Sequence, residues 1–151
     1  MDPDEISPND LDALVAYGMT KVAEVRIAEG PKFAITIMDK LTTELDRCVY
    51  AFIVGGKIQR IGSSKSPLQS RLQSWERYVT NRWQDPDGNS DTPLWEADGW
   101  RKCLSEAGYG EIYARQGTLV NTPVGQFRAY LDEESILIGR HRPPLNRSKH
   151  R

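Results

Sequence analysis

Residues Cys48 to Trp75 read CVYAFIVGGKIQRIGSSKSPLQSRLQSW. Val49 to Val54 is an apolar, β-prone run, and Lys57 to Ile61 reads as its partner strand. Gly55-Gly56 between them supplies the positive φ angles of a two-residue hairpin turn. A Gly62-Ser63-Ser64 step follows. From Pro67 the period becomes helical, with Leu68, Leu72, Trp75 and Val79 on one face. A tight hairpin therefore hands directly to a helix that carries Arg71.

Upstream, Ser7-Pro8 predicts a helix start, with Ser as N-cap, Pro at the first position and Asp10 in the first turn. Leu11, Leu14, Val15, Met19 and Val22 continue it until Gly30-Pro31. Phe33 to Arg47 fits a helix through Ile37, Met38, Leu41 and Leu45, although FAITI alone fits a strand; helix is the preferred reading. Downstream, QDPDGNSDTP is a loop, and Thr92-Pro93 opens a helix that Gly108 ends. Glu111 to Arg115 is a third strand. Thr122-Pro123 opens a last helix that runs to near Gly139. The expected fold class is α+β: a small three-stranded antiparallel sheet flanked by helices, with an N-terminal helical extension over residues 1–47. The core spans 48–146, with an insertion over about 84–99 and a basic tail at 147–151.

The chain has 151 residues, 38% hydrophobic and 27% charged, which suits one globular domain with a real core. No apolar run is long enough for a membrane span, and the acidic start MDPDEISPND argues against a signal or transit peptide. Cys48 and Cys103 form neither a disulfide framework nor a zinc cluster, and read as buried thiols in a reducing cytoplasm. The net charge of -1 hides a segregated distribution. The first twelve residues hold Asp2, Asp4, Glu5, Asp10 and Asp12 and no base. Lys57 to Arg82 holds six bases against Glu76 alone, and the chain after Gly139 holds five bases and no acid. The two basic segments suit a phosphate-rich partner if the fold joins them.

Three residues carry candidate chemistry. Glu134 lies three residues from Leu131 and four from Ile138, on the helix face read as apolar with Phe127, Tyr130 and Leu137. A carboxylate there should be paired, metal-bound or lining a cleft. Asp132 and Glu133 fall on other faces and read as solvated acids. Arg71 borders the buried stripe of its helix. Tyr50 sits within its strand, on the face opposite Val49 and Ala51.

In this order the residues resemble the GIY-YIG nuclease domain. Cys48-Val49-Tyr50 is similar to its first motif, and Arg60-Ile61-Gly62 to its second. Ser63-Ser64-Lys65 and Leu68 to Leu72 resemble the serine-rich step and the arginine helix. Glu134-Ser-Ile-Leu-Ile-Gly-Arg-His-Arg-Pro143-Pro-Leu-Asn146 resembles the closing glutamate helix and its tail. The resemblance implies a DNA endonuclease that hydrolyses phosphodiester bonds with Mg²⁺ or Mn²⁺. It implies Tyr50 as general base or water-orienting group, Arg71 as phosphate clamp, and Glu134 as the protein ligand of one metal ion. Lys65, Arg140, Arg142 and Asn146 fall at DNA-contacting or site-supporting positions, and His141 on a basic surface.

The second motif departs from the family in carrying Arg60 where a tyrosine is usual. Two outcomes are open: Arg60 depresses the pKa of Tyr50 or contacts phosphate, or the water-activating network is broken and the domain only binds DNA. Trp75 stands where the family often has His or Tyr and reads as core, leaving Tyr78 as the replacement phenol. Trp83, Trp95 and Trp100 surround the insertion, as core or as a contact surface. Target choice is expected from the N-terminal extension, the insertion, the basic tail or a partner chain. A restriction-type enzyme would form a homodimer to cut both strands.

Overall fold

The computed structural model describes residues 9–146. Ser7-Pro8 and the tail from Arg147 lie outside them. Helix α1 is Asp10–Ala16, and Asn9 caps it by accepting from the Asp12 N–H at 2.8 Å. Strand β1 (Thr20–Ala28) and β2 (Lys32–Ile37) follow, then the short α2 (Lys40–Thr43). The hairpin of β3 (Cys48–Val54) and β4 (Lys57–Ser64) leads into α3 (Leu68–Gln84) and α4 (Leu94–Ala107). Strands β5 (Gly110–Gln116), β6 (Leu119–Thr122) and β7 (Gly125–Arg128) precede α5 (Tyr130–His141).

The sheet has five antiparallel strands in the order β2-β1-β5-β3-β4, not three. The expected N-terminal helical extension instead supplies two of them. The helical pattern from Leu11 stops at Gly18, whose φ of +84° no helix accommodates. Beyond it, Met19 and Val22 serve the sheet rather than a helix. FAITI is β2: Phe33 is buried, and Ile35 and Ile37 pack on the same core at alternate positions. Gly30-Pro31 is the turn between the two strands. The last predicted helix also begins later than expected. Thr122-Pro123 is a hairpin turn, in which the Thr122 hydroxyl donates to the Gly125 carbonyl at 2.7 Å. The β6–β7 ribbon forms a separate sheet.

Both faces of the main sheet are covered, so every residue of β3 is buried. One face carries Cys48, Tyr50, Phe52 and Val54 against Leu68, Leu72, Trp75 and Val79 of α3 and Trp100 and Leu104 of α4. The other carries Val49, Ala51 and Ile53 against Leu14 and Leu137. Trp83 and Trp100 belong to the core, with Trp95 partly buried against it.

Cys48 and Cys103 are free thiols, and burial pushes each up to about 11. Burial also raises the Tyr50 phenol. These groups hold their protons more tightly folded than unfolded. Their contribution is complete below the ordinary thiol pKa of about 8.5 and is lost as pH rises through the folded values. Melting temperature should therefore fall steadily between about pH 9 and pH 11. A flat profile over that window would contradict the burial of Cys48 and the partial burial of Cys103.

Candidate active site

The β3–β4 hairpin turns through Gly55 and Gly56 with φ of +61° and +77°, the two positive angles of a primed turn. Its register sets Tyr50 opposite Gly62 and Phe52 opposite Arg60. The Tyr50 ring lies over Gly62, where an added Cβ would strike the phenol oxygen. Gly62→Ala should therefore cost about 1–3 kcal/mol, because the fully enclosed ring has no place to move. A melt indistinguishable from wild type would refute that packing.

Helix α3 brings Arg71, Trp75 and Tyr78 to one side at spacings of four and three. Trp75 is core, and its indole N–H donates to the Tyr50 hydroxyl at 2.7 Å. Arg60 stacks on the Trp75 ring, 5.0 Å from guanidinium carbon to centroid. Its Nη1 donates to Glu96 Oε1 at 3.0 Å and to the Leu145 carbonyl at 2.8 Å. Its Nε is buried without a hydrogen-bond partner among the described residues. Arg60, Arg71, Trp75, Tyr78, Asp91 and Glu96 line a cleft of about 300 Å³.

From the opposite face of the sheet, α5 presents Glu134, whose Oε1 accepts from the Ser63 hydroxyl at 2.9 Å. Glu134 is half-buried and does not line the α3 cleft. The two sides meet at Gly62-Ser63, next to Tyr50. Burial raises the Tyr50 pKa; the Trp75 hydrogen bond and the charges of Arg60 and Arg71 oppose it, and the charge of Glu134 adds to it. At neutral pH Tyr50 is a neutral phenol that accepts from Trp75 and keeps its own proton to donate.

The other predicted residues fall further out. Lys65 is exposed. Arg140 packs on Tyr17, with its guanidinium 5.6 Å from the ring centroid. Arg142 takes φ of +45° as the α5 C-cap. Asn146 is buried, and its side-chain amide both accepts from Ile61 N–H and donates to Ile61 C=O, each at 2.9 Å. His141 meets the Tyr17 hydroxyl at 2.8 Å. Phe127 and Leu131, read as an apolar helix face, are exposed, and Leu137 is the buried residue of α5. Glu133, read as solvated, forms an ion pair with Arg115 at 2.6 Å and accepts from Thr118.

Two residues escaped sequence reading. Glu96 is buried against both Arg60 and the Trp100 indole N–H, which donates to it at 3.2 Å. Arg82 gathers the carbonyls of Pro86, Gly88, Ser90 and Thr92 at 2.8–3.1 Å, fixing the loop that rims the cleft at Asp91. Glu96 lies four residues before Trp100, in the middle of the tryptophan cluster; that spacing was the available signal. Arg82 gave none.

Glu134 offers one half-buried carboxylate, and Mg²⁺ and Mn²⁺ are ions that keep several waters and take one or two carboxylates. No cluster of three or more metal-ligating side chains exists among the described residues. No helix among them is long and apolar enough to cross a membrane.

The fold of this chain is similar to that of nucleases of known structure. One is a glutamate-to-alanine mutant of bacteriophage T4 EndoII, 21% identical, matched over 92% of this chain and 99% of that one with a TM-score of 0.63. Another is the restriction endonuclease HPY188I, solved in complex with product DNA, 16% identical over 91% of this chain and 84% of that one, TM-score 0.51. By sequence, no family model and no curated protein matches. The kinship is one of fold.

Proposed function

We propose that this chain is a metal-dependent DNA endonuclease of GIY-YIG type. The observation that carries the reading is the Tyr50 phenol, packed on Gly62 and bonded to the Trp75 indole, with Arg60 stacked on that indole, Arg71 one turn before it, and Glu134 bonded to the neighbouring Ser63. Its support is the fold shared with a phage nuclease and with a restriction endonuclease solved on product DNA.

Hydrolysis requires a water oxygen to bond to phosphorus while the bond to the leaving oxygen breaks. Arg71, exposed at the cleft rim, donates its planar fork to the scissile phosphate. Tyr50, enclosed beneath the cleft and held protonated by burial, positions the site through its bond to Trp75 rather than removing a proton from water. Tyr78 supplies a second phenol on the cleft wall, beside the Arg77 cation 4.9 Å from its ring centroid. Arg60 contributes positive charge from behind, braced by Glu96. Glu134 would hold the Mg²⁺ or Mn²⁺, which when bound neutralises charge on phosphate and leaving oxygens. Lys65, Arg140 and Arg142 extend the basic surface toward the DNA backbone. A homodimer is the arrangement for double-strand cutting at a symmetric site, and a monomer for nicking.

The test is incubation with supercoiled plasmid and with flap, loop and single-stranded DNA, in Mg²⁺ or Mn²⁺ and in EDTA. Metal-dependent cutting is expected. Discrete plasmid fragments would mark a sequence-specific enzyme, and cutting of branched DNA alone a structure-selective one. A second reading, a silent DNA-binding relative, is favoured by the engagement of Arg60 with Glu96. Salt-sensitive binding with no cleavage of any substrate would select it.

A further inference from the structure

We propose that the β6–β7 ribbon is the element that reads duplex DNA, by entering a groove. This rests on the nuclease reading above. A lone two-stranded hairpin is marginal in water, yet this one is firmly rooted. Glu133 receives the Arg115 guanidinium at 2.6 Å and both the Thr118 N–H and hydroxyl, at 2.9 and 2.7 Å. Arg128 donates to the Gly117 carbonyl at 3.1 Å. The next residue on α5 is Glu134, bonded to Ser63. Neighbouring glutamates on one helical turn thus fix the ribbon and face the site, so the ribbon's direction is tied to the site's.

The exposed chemistry fits DNA. Gly117 to Arg128 contains no acid, so nothing in it repels phosphate. Asn121 and Gln126 are cross-strand partners on one face, with Leu119 and Arg128 two positions toward the root. The amides bond each other at 2.6 Å and stand exposed. Asn, Gln and Arg are the side chains that pair bidentately with adenine and guanine edges, and a two-stranded ribbon fits the major groove. Val124, 99% exposed at the tip, suits contact with a thymine methyl or a base step. A second copy of this chain is the competing occupant, through the Val120–Phe127 pair on the ribbon's other face; the absence of any acid from Gly117 to Arg128 favours DNA.

The experiment compares cut-site maps on long duplex DNA for wild type and for Asn121→Ala with Gln126→Ala. Duplex affinity is measured separately by fluorescence anisotropy, with the amide pair intact or replaced, in a Glu134→Ala background. We expect the amide double variant to melt like wild type, to bind duplex at least about tenfold more weakly, and to cut at altered positions. Unchanged maps with unchanged affinity would overturn the proposal. So would absence of duplex binding by the Glu134→Ala protein. Concentration-dependent dimers dispersed by Val124→Asp with DNA affinity intact would overturn it in favour of a second copy. If wild type cuts nothing but binds duplex in a manner dependent on Asn121 and Gln126, the nuclease reading falls and the ribbon stands.

Discussion

Glu134→Ala is expected to lower metal-dependent cleavage roughly a thousandfold, the equivalent of about 4 kcal/mol of transition-state stabilisation, while leaving the fold in place. The carboxylate is half-buried, and its hydrogen-bond partner among the described residues is the Ser63 hydroxyl. Losing one such bond costs about 0.5–1.5 kcal/mol, and removal of a partly desolvated negative charge offsets part of that. Duplex affinity in EDTA should stay the same or rise. The measurements are single-turnover cleavage, a thermal melt and binding in EDTA, all on the same preparation. Full cleavage by the alanine variant would remove Glu134 from the mechanism. Lost cleavage accompanied by a collapsed melting temperature would make it a structural residue instead.

Asn146→Ala should have the largest effect on stability, about 2–4 kcal/mol. Strand β4 is at the edge of the sheet, and its outward peptide groups need partners. The Asn146 amide provides an acceptor to the Ile61 N–H and a donor to the Ile61 C=O, acting as a one-residue strand. Leu145 continues the cover by donating its N–H to Gln59 C=O at 2.9 Å. Alanine would strand two buried polar groups. Aspartate would still accept from Ile61 N–H but has no proton for its carbonyl. For a chain this size the loss lowers the melting temperature by roughly 5–15 °C. Hydrogen exchange at Ile61 should accelerate in parallel. A shift of only a degree or two would show that solvent satisfies this edge as well. The same segment supplies the Leu145 carbonyl that braces Arg60, so the loss should reach the cleft as well.

The hairpin, the arginine helix with Trp75 in its core stripe and the Gly108 helix end were all legible, because each is written in local terms: a Gly-Gly turn, an i, i+4 stripe, a cap. Trp83 and Trp100 stayed open between core and contact surface until packing put them in the core. Tyr50, Arg71 and Glu134 stood out together through the order of motifs that resembles the GIY-YIG domain; the face read as apolar around Glu134 is exposed at Phe127 and Leu131. Strand β1 was misread because Leu11 to Val22 satisfies helical spacing by coincidence, and β2 because Ile37, Met38, Leu41 and Leu45 do the same. Met19 and Val22 are apolar for the sake of a sheet whose other strands lie far along the chain. Nothing local distinguishes those cases. Pairing with β5 does, through the register of Thr20 with Ala114 and Val25 with Gly110. The β6–β7 ribbon was missed because Thr-Pro opens helices and turns alike, and Gly125 at φ +143° resolves the choice only once the strands pair.

Charge partners were the least legible of all. Arg60 was visible as a departure from the tyrosine expected there, but its engagement by Glu96 and Leu145 joins positions 36 and 85 residues away. Glu133 and Glu134 are neighbours of identical chemistry. One helix rotation of about 100° sends the first to Arg115 and the second to Ser63. Side-chain type and local spacing are properties of the chain, so they survive in the sequence. Which acid meets which base, and which phenol loses its water, follows from long-range packing, and that exists only once the sheet has closed.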